Sequence, residues 1–398
     1  MKGKKKVVRR GQLATVLLLI FFVTGCGNKQ MEKSQKLQMN QWLFDANLDT
    51  KQSAEDLYQA ALKEDILTIY SVSTRVFDVK ESFEKEYPGL TVEIKDVRGN
   101  DLVNMVKENY QSEDYGCDLV VCSDSDGSLY KELLEPGLVY TYIPQDIEPL
   151  IKLGVKEEEL DFLGESLMVV YNSAIFEEPP IDNIWEMTEE RFKGKIIMAN
   201  PISSFSTNGF CSTVICESKL MEESYEQYAG KALELPEGKN AGEVFWEQAA
   251  KNIVFTNSSD EVLEGIGNSG SDGMMLGFMI SSKLRYLDVG YQIAPIYRLK
   301  PFSAVYTPNS VCIAAGSENI NAAKLFIRYM LGETDGTGEG LKPFLTKGTW
   351  SVRTDVPDGN DVPLDEIDVQ FLNKSYLYEN RENMMKFWEE ILKINVEP

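Results

Sequence analysis

The chain has 398 residues, 40 Lys and Arg against 63 Asp and Glu, a formal net charge of −23 and no histidine. Its length is typical of two domains, and an apolar fraction of 43% is that of a folded protein. The missing histidine excludes Ser-His-Asp triads, Cys-His protease pairs and metal or haem sites that need histidine ligands. Six of the first ten residues are basic, so the rest carries −29. A body this acidic repels phosphate backbones, and we predict no nucleic-acid binding.

The first 25 residues have the pattern of an export signal. An apolar run from Leu13 to Val23 follows the basic residues and is too short for a spanning helix of ~20 residues. The next residues, Val23-Thr24-Gly25-Cys26, resemble the bacterial lipoprotein cleavage box. By that resemblance, residues 1–25 are a lipoprotein signal peptide, and Cys26 is the lipid anchor that holds the mature chain on the extracytoplasmic face of the cell membrane. The alternative is a plain signal peptide with an incidental cysteine.

Residues 26–53 are mostly polar, and we interpret them as a tether. Five cysteines follow Cys26, and an odd number cannot all pair within one chain. No two of them have Cys-x-x-Cys spacing, which disfavours a metal site. We therefore predict mostly buried free thiols, no bound metal and no cofactor.

Strand and helix patterns alternate from residue 54 onwards. The predicted elements, in chain order, are a helix over 54–64, a strand over 67–71, a helix over 76–87, a strand over 90–94, a helix over 101–110 and a strand over 118–122. This βαβαβ order predicts an α/β fold with a parallel sheet and helices on both faces. Ligands of such sheets bind beyond the carboxyl ends of the strands, and two of these ends are rich in hydroxyl groups.

Six segments, in order, resemble those of bacterial extracellular solute-binding proteins, above all the ferric-iron, phosphonate and polyamine type. They are Ala60–Ser71, Val169–Ser173, Trp185 with Phe192–Ile196, Ala199–Thr207, Asp272–Phe278, and Tyr306–Ala315 with Asn321–Leu331. The resemblance extends over residues ~55 to ~355 of the chain. It departs from the family's iron binders, which typically use histidine and a Tyr-Tyr pair; this disfavours ferric iron.

The resemblance implies a periplasmic-binding-protein-like fold of type II, in which two α/β lobes joined by a hinge enclose a ligand cleft. Lobe 1 would comprise residues 54–170 and 300–354, and lobe 2 residues 171–299. Residues 355–398 would be a C-terminal helical segment that packs across both lobes. The implied protein is not an enzyme. It is a monomeric solute receptor that closes on a small molecule and delivers it to an ABC permease.

Candidate ligand-binding residues follow the predicted strands. They are Ser71, Ser73, Thr74 and Arg75 after the first strand, Ser123 after the third, and Ser203, Ser204, Ser206 and Thr207 before a predicted helix. Helix N-termini and hydroxyl groups bind anions, and arginine can grip a carboxylate or phosphoryl group. Helix capping is the alternative for the serines and threonines. Tyr171, Phe278 and Tyr306 are further candidates, which could contact ligand or pack the hinge.

These residues favour an oxyanion-bearing solute, such as a phosphonate, a phosphate ester or a carboxylate. A polyamine, a sugar or a ferric complex is the alternative within the same class of proteins. A lipid-anchored extracellular hydrolase would need two facing carboxylates, for which the sequence offers Asp124, Asp126 and Asp272 without pairing them. A binding module that senses a surface partner is the third hypothesis.

Overall fold

The computed structural model describes residues 38–97, 99–113, 115–152, 159–268 and 270–396. Contacts divide the chain into two compact units, Met1–Leu48 and Asp49–Pro398. In the first unit, within the predicted tether, residues 38–46 form helix α1. Every helix in the described ranges is too short or too polar to cross a membrane. The predicted signal peptide and Cys26 lie outside the described residues.

The described part of the second unit contains eleven strands in one sheet. They are β1 (Leu67–Ser71), β2 (Val92–Asp96), β3 (Leu119–Cys122), β4 (Val139–Tyr140), β5 (Leu160–Asn172), β6 (Ile196–Ala199), β7 (Ile253–Thr256), β8 (Leu276–Ile280), β9 (Ile293–Pro295), β10 (Ala304–Ala314) and β11 (Val369–Gln370). Its α-helices are α2 (Ala54–Ala61), α3 (Arg75–Glu86), α4 (Gly99–Ser112), α5 (Phe205–Cys216), α6 (Ser218–Ala229), α7 (Ala241–Ala249), α8 (Ser259–Gly267), α9 (Ile320–Leu331) and α10 (Lys374–Val396).

The sheet has two half-sheets joined by its two longest strands. In the first half-sheet, β2, β1 and β3 are parallel, and the last part of β10 pairs antiparallel with β3. In the second, β7, β6 and β8 are parallel, and the last part of β5 pairs antiparallel with β8. Strands β5 and β10 pair antiparallel with each other between Leu160 and Met168 and between Ala304 and Val311, with an irregularity between Asn309 and Ser310. The chain therefore passes between the half-sheets along these two strands.

Burial explains why these segments form these elements. Strand β5 has neighbours on both edges and is buried at all but one of its 13 positions, which fits the apolar run from Leu167 to Tyr171 in its second half. Helix α3 instead buries one face, through Val76, Val79 and Phe83. The spacing of these three residues is the signal that predicted the helix.

Helix α10 contacts parts of both half-sheets. Near its start, Tyr378 donates a hydrogen bond to Glu132, which lies in the single-turn helix after β3. Near its end, Trp388 packs against Trp246 of α7 and Phe255 of β7, with ring centroids 5.4 and 6.2 Å apart. The docking position of this helix could not be predicted from the sequence.

The structure confirms the predicted βαβαβ order and the parallel pairing of β1 with β2 and β3. The second strand begins at Val92 rather than Leu90, because the turn after Tyr87 takes up Leu90, whose amide donates to the Tyr87 carbonyl. The prediction of free thiols is also confirmed: Cys117, Cys122, Cys211 and Cys312 are buried and form no disulfide, and Cys216 is a half-buried free thiol.

Candidate functional site

A cleft of about 500 Å³ opens at the carboxyl ends of the parallel strands of both half-sheets. Its first wall, from the first half-sheet, consists of Val72, Ser73, Thr74, Arg75, Asp96, Ser123 and Ser125. Its second wall consists of Phe205, Ser206, Ser259, Ile280, Ser282, Lys283 and Arg285. Its floor, from the two crossing strands, consists of Glu165, Thr307 and Asn309. The position agrees with the rule that α/β sheets bind ligands beyond the carboxyl ends of their strands.

The first wall is built by two loops that follow buried strands. After β1, the Ser71 hydroxyl donates to the Ser73 carbonyl and accepts from the Ser73 amide, both at 3.0 Å, so it shapes the turn from behind. After β3, the hydroxyls of Ser123 and Ser125 lie 3.3 Å apart. Asp124, between them, is buried and turns away from the cleft, accepting from the amides of Leu129 and Tyr130.

The second wall carries two cations that follow the end of β8. Lys283 is paired with the exposed carboxylate of Asp260, and its ammonium lies 5.5 Å from the centre of the Tyr286 ring. The Arg285 guanidinium donates to the Ser282 carbonyl at 2.7 Å and lies 4.8 Å from the same ring centre. These contacts hold both positive charges in place at the rim of the cleft.

Three helix N-termini reach the cleft, because the first residues of α3, α5 and α8 are lining residues. They are Arg75, Phe205 and Ser259. Each N-terminus presents amide groups and roughly half a positive charge. The hydroxyl of Thr74, at the N-cap of α3, makes no capping hydrogen bond. The combined field of these elements favours an anion in the cleft.

An ion pair crosses from the first wall to the floor. The Arg75 guanidinium lies 3.1 Å from Glu165 Oε1, and the two side chains are only 18% and 12% exposed. Glu165 Oε2 accepts a hydrogen bond from Asn309 Nδ2 at 3.3 Å. The lining residues thus include three cations, of which one is paired with a carboxylate inside the cleft, and the further carboxylate of Asp96.

Five of the predicted ligand-binding residues line the cleft: Ser73, Thr74, Arg75, Ser123 and Ser206. The remaining serines and threonines have structural contacts instead. Ser204 caps α5, accepting from the Thr207 amide at 3.4 Å, with its hydroxyl 2.8 Å from that of the buried Thr207. Ser203 is exposed in the preceding turn, where its hydroxyl donates to the Asn200 carbonyl. Ser204 therefore acts as a helix cap, which was the alternative to ligand binding, and Ser71 stabilises the turn beneath the first wall.

The structure places Tyr171, Phe278 and Tyr306 outside the cleft. Tyr171 and Phe278 belong to the hydrophobic core of the second half-sheet, and Phe278 packs 5.2 Å from the ring of Phe210. Tyr306 is buried and donates a hydrogen bond to Asp161 at 3.3 Å. Side chains alternate across a strand, so Tyr306 faces away from the cleft that its neighbour Thr307 lines. The packing alternative therefore describes all three.

Sequence reasoning missed Lys283, Arg285, Ser259 and Glu165. Ser259 follows β7, and Lys283 and Arg285 follow β8, in the same way that Ser73 and Thr74 follow β1. The rule that ligands bind at the carboxyl ends of strands, applied to β7 and β8, would therefore have found these three residues. The signal for Glu165 was a charged residue close to the apolar run Leu167–Tyr171 of a buried strand.

A buried charged cluster lies behind the first wall. Glu159 pairs with Lys374, the first residue of α10, at 2.8 Å. The single hydroxyl of Ser310 lies 2.7 Å from both Glu159 Oε2 and Asp161 Oδ1. A hydroxyl carries one proton, so both contacts are fully satisfied when it donates to one carboxyl and accepts from the other in its protonated form. Burial raises the pKa of Asp161 to about 7 and that of Asp124 to about 8.

No group of three or more Cys, Asp or Glu side chains in the described ranges is arranged to hold a metal ion. None of the three carboxylates considered for hydrolysis lines the cleft: Asp124 is buried behind it, and Asp126 accepts from Ser128 beside another groove. Asp272 is exposed at the start of the segment before β8.

Comparison with known proteins gives one family and one fold. Residues 68–336 match the family model described as bacterial extracellular solute-binding protein. No curated protein sequence matches the chain significantly.

Solved structures similar to this chain include iron-bound HitA from Pseudomonas aeruginosa, with a TM-score of 0.63 at 15% identity over 82% of this chain and 99% of that one. The ferric binding protein from Campylobacter jejuni has a TM-score of 0.59 at 17% identity, over 82% and 99%. The Atu4243 GABA receptor has a TM-score of 0.62 at 11% identity, over 82% and 97%. At these identities the likeness establishes the fold.

Proposed function

Because the chain belongs to the family of bacterial extracellular solute-binding proteins, we propose that it captures a small oxyanion-bearing solute outside the cell for an ABC permease. The family and the structural relatives are binding proteins, and this chain shares their α/β fold. We expect its two half-sheets to belong to two lobes that a hinge joins around the cleft. The solutes that we favour are phosphonates, phosphate esters and carboxylates.

The charge pattern of the cleft is the observation that carries this proposal. Arg75, Lys283 and Arg285 line a single cavity of a chain whose net charge is −23. The N-termini of α3, α5 and α8 add positive potential, and the hydroxyls of both walls supply hydrogen-bond donors. Donors and cations from opposite walls can hold different oxygens of one phosphonate or carboxylate group.

Closure of the cleft would provide the mechanism. Strands β5 and β10 connect the half-sheets, so a small bend near the irregularity at Asn309 and Ser310 would move one wall toward the other. A ligand that contacts both walls stabilises the closed state, because its contacts are complete only there. The permease would then distinguish closed, loaded receptors from open, empty ones.

The finer organisation is part of the same proposal. We place the lobes at residues 54–170 with 300–354 and at 171–299, with residues 355–398 across both. The export signal, the lipid anchor at Cys26 and the monomeric state follow from the sequence pattern at the N-terminus and from the family resemblance. An anchored receptor would keep captured solute close to its permease.

Two observations set the ranking of the rival ligands. The chain lacks histidine, and the described residues hold no cluster of three or more Cys, Asp or Glu side chains arranged for a metal, which disfavours ferric iron. Asp96 and Glu165 bring negative charge into the cleft, which is the feature that a polyamine would need. Glu165 is paired with Arg75, and the lining carries three cations against two carboxylates, to which the three helix N-termini add positive potential.

Native mass spectrometry of protein purified without refolding tests the proposal directly. We expect a bound species whose mass and fragmentation identify a phosphonate, a phosphate ester or a carboxylate. A bound polyamine or sugar would contradict the oxyanion class while leaving the receptor function in place. Covalent turnover of the bound species would contradict the receptor function itself.

A further inference from the structure

The Arg75–Glu165 ion pair places an oxyanion of the protein where an oxyanion of the solute is expected. Glu165 Oε1 lies 3.1 Å from the guanidinium, which is the geometry that a ligand carboxylate or phosphonate oxygen would adopt. The glutamate comes from β5, one of the crossing strands, whereas Arg75 opens α3 on the first wall. The contact therefore links a crossing strand to the first wall.

The environment of this pair makes the contact replaceable. Glu165 keeps a second hydrogen bond, from Asn309 Nδ2, that does not involve Arg75. Arg75 is the first residue of α3, and the hydroxyl of the preceding Thr74 makes no capping hydrogen bond. An incoming anion would therefore find hydrogen-bond donors already oriented at this helix N-terminus. Both side chains are mostly buried, and a buried guanidinium left without a carboxylate is unfavourable.

We propose that Glu165 is an internal competitor of the ligand, which occupies Arg75 in the empty cleft and gives it up when a solute oxyanion binds. The inference rests on the proposed function, because it concerns the same cleft and the same ligand class. Glu165 thereby lowers the affinity for every oxyanion and keeps the empty wall stable. It also couples release of the crossing strand from the first wall to binding of the solute.

The test is the variant Glu165→Gln, titrated with ethylphosphonate by isothermal calorimetry beside the wild type. The glutamine keeps the size of the side chain and its contact with Asn309 but removes the charge that competes for Arg75. We expect binding about 10-fold tighter than in the wild type, the size of a charge-assisted hydrogen bond. Without ligand, the variant should melt at a lower temperature than the wild type. Ethylphosphonate should raise the melting temperature of the variant more than that of the wild type, because only the empty state loses an interaction.

Asp96→Asn is the matched control, because it removes the same charge from the same cleft without direct contact with Arg75. We expect a gain of only about 2-fold, which should disappear at high salt, since exposed charges are screened. The gain from Glu165→Gln should persist at high salt. In an Arg75→Gln background, Glu165→Gln should increase the affinity for ethylphosphonate by no more than Asp96→Asn does.

Three outcomes separate the failures. If ethylphosphonate binds the wild type but Glu165→Gln binds it equally or more weakly, the competitor role is wrong and the proposed function stands. If Glu165→Gln loses affinity for 2-aminoethylphosphonate alone, Glu165 contacts an amine of the ligand instead, which also overturns the inference. If neither protein binds any oxyanion and both bind spermidine, the oxyanion class of the proposed function fails.

Discussion

The two walls of the cleft present similar side chains to the ligand but are packed against different kinds of residues. Each wall presents hydroxyls and cations at the carboxyl ends of parallel strands. Behind the first wall lies the charged cluster of Asp124, Glu159, Asp161 and Lys374. Behind the second lies an aromatic core that includes Phe278, Trp246 and Trp388.

This difference indicates a division of roles. The aromatic core packs at fixed distances that do not depend on pH, so the second wall should be a rigid platform for the cations Lys283 and Arg285. The charged cluster depends on shared protons and on the start of α10, so the first wall should respond to pH. The predictions below test this division, from the largest expected effect to the smallest.

Trp246→Ala should produce the largest loss of stability. Trp246 is fully buried, packs 5.4 Å from Trp388, and donates its indole proton to the Cys211 carbonyl at 3.1 Å. Truncation of such a residue costs about 3–5 kcal/mol of unfolding free energy, which urea denaturation measures. Tyr228→Ala, at a residue that is 37% exposed, serves as the control and should cost far less. Equal losses in the two variants would show that the core does not support the second wall.

The double variant Lys283→Gln and Arg285→Gln should lose about 100-fold in oxyanion affinity, because two charge-assisted contacts disappear together. Calorimetry with ethylphosphonate measures this. Lys347→Gln is the control, since Lys347 pairs with Asp288 outside the cleft. Unchanged affinity in the double variant would mean that the second wall does not hold the anion.

The buried carboxyl of Asp161 should make the protein less stable as the pH rises. Its folded pKa is about 7 against an ordinary value of 3.8, chiefly because of burial, so the folded state binds more protons than the unfolded state in that interval. Stability from this group is complete below pH 3.8 and is lost toward pH 7, at about 1 kcal/mol per pH unit. Asp161→Asn should flatten the urea-denaturation profile between pH 4 and 7, whereas Asp288→Asn should not. A wild-type profile that rises over this range would contradict the assignment.

Single hydroxyl deletions should give the smallest effects. Ser123→Ala on the first wall and Ser206→Ala on the second should each weaken oxyanion binding about 3- to 10-fold, the net worth of one hydrogen bond. Ser203→Ala, in the exposed turn next to the second wall, should leave the affinity as it is. If Ser203→Ala has the largest effect of the three, the cleft closes differently from the arrangement described here.

The sequence predicted the first wall better than the second for a physical reason. The first wall follows β1 and β3, whose apolar runs and following hydroxyls are adjacent in the chain, and Ser73, Thr74, Arg75 and Ser123 were found this way. The second wall gathers Ser206, Ser259 and Lys283 from three separate loops, so its composition depends on strand order rather than on any local pattern.

Aromatic residues at the crossing misled the prediction for a different reason. Tyr171, Phe278 and Tyr306 lie in the motifs that resemble the family, but which face of a strand a side chain occupies is set by register. The buried cluster around Asp161 was equally hidden, because Glu159, Ser310 and Lys374 are far apart in sequence. The fold itself was predictable, since six ordered segments and the βαβαβ pattern agree.

Calorimetric titration of the purified protein with ethylphosphonate, 2-aminoethylphosphonate, propionate and spermidine in parallel is the most direct test of the central claim. The account predicts heat with at least one oxyanion compound, no heat with spermidine, and loss of the oxyanion signal in the Lys283→Gln and Arg285→Gln double variant. Heat with spermidine alone, or an oxyanion signal that survives the double variant unchanged, would contradict it.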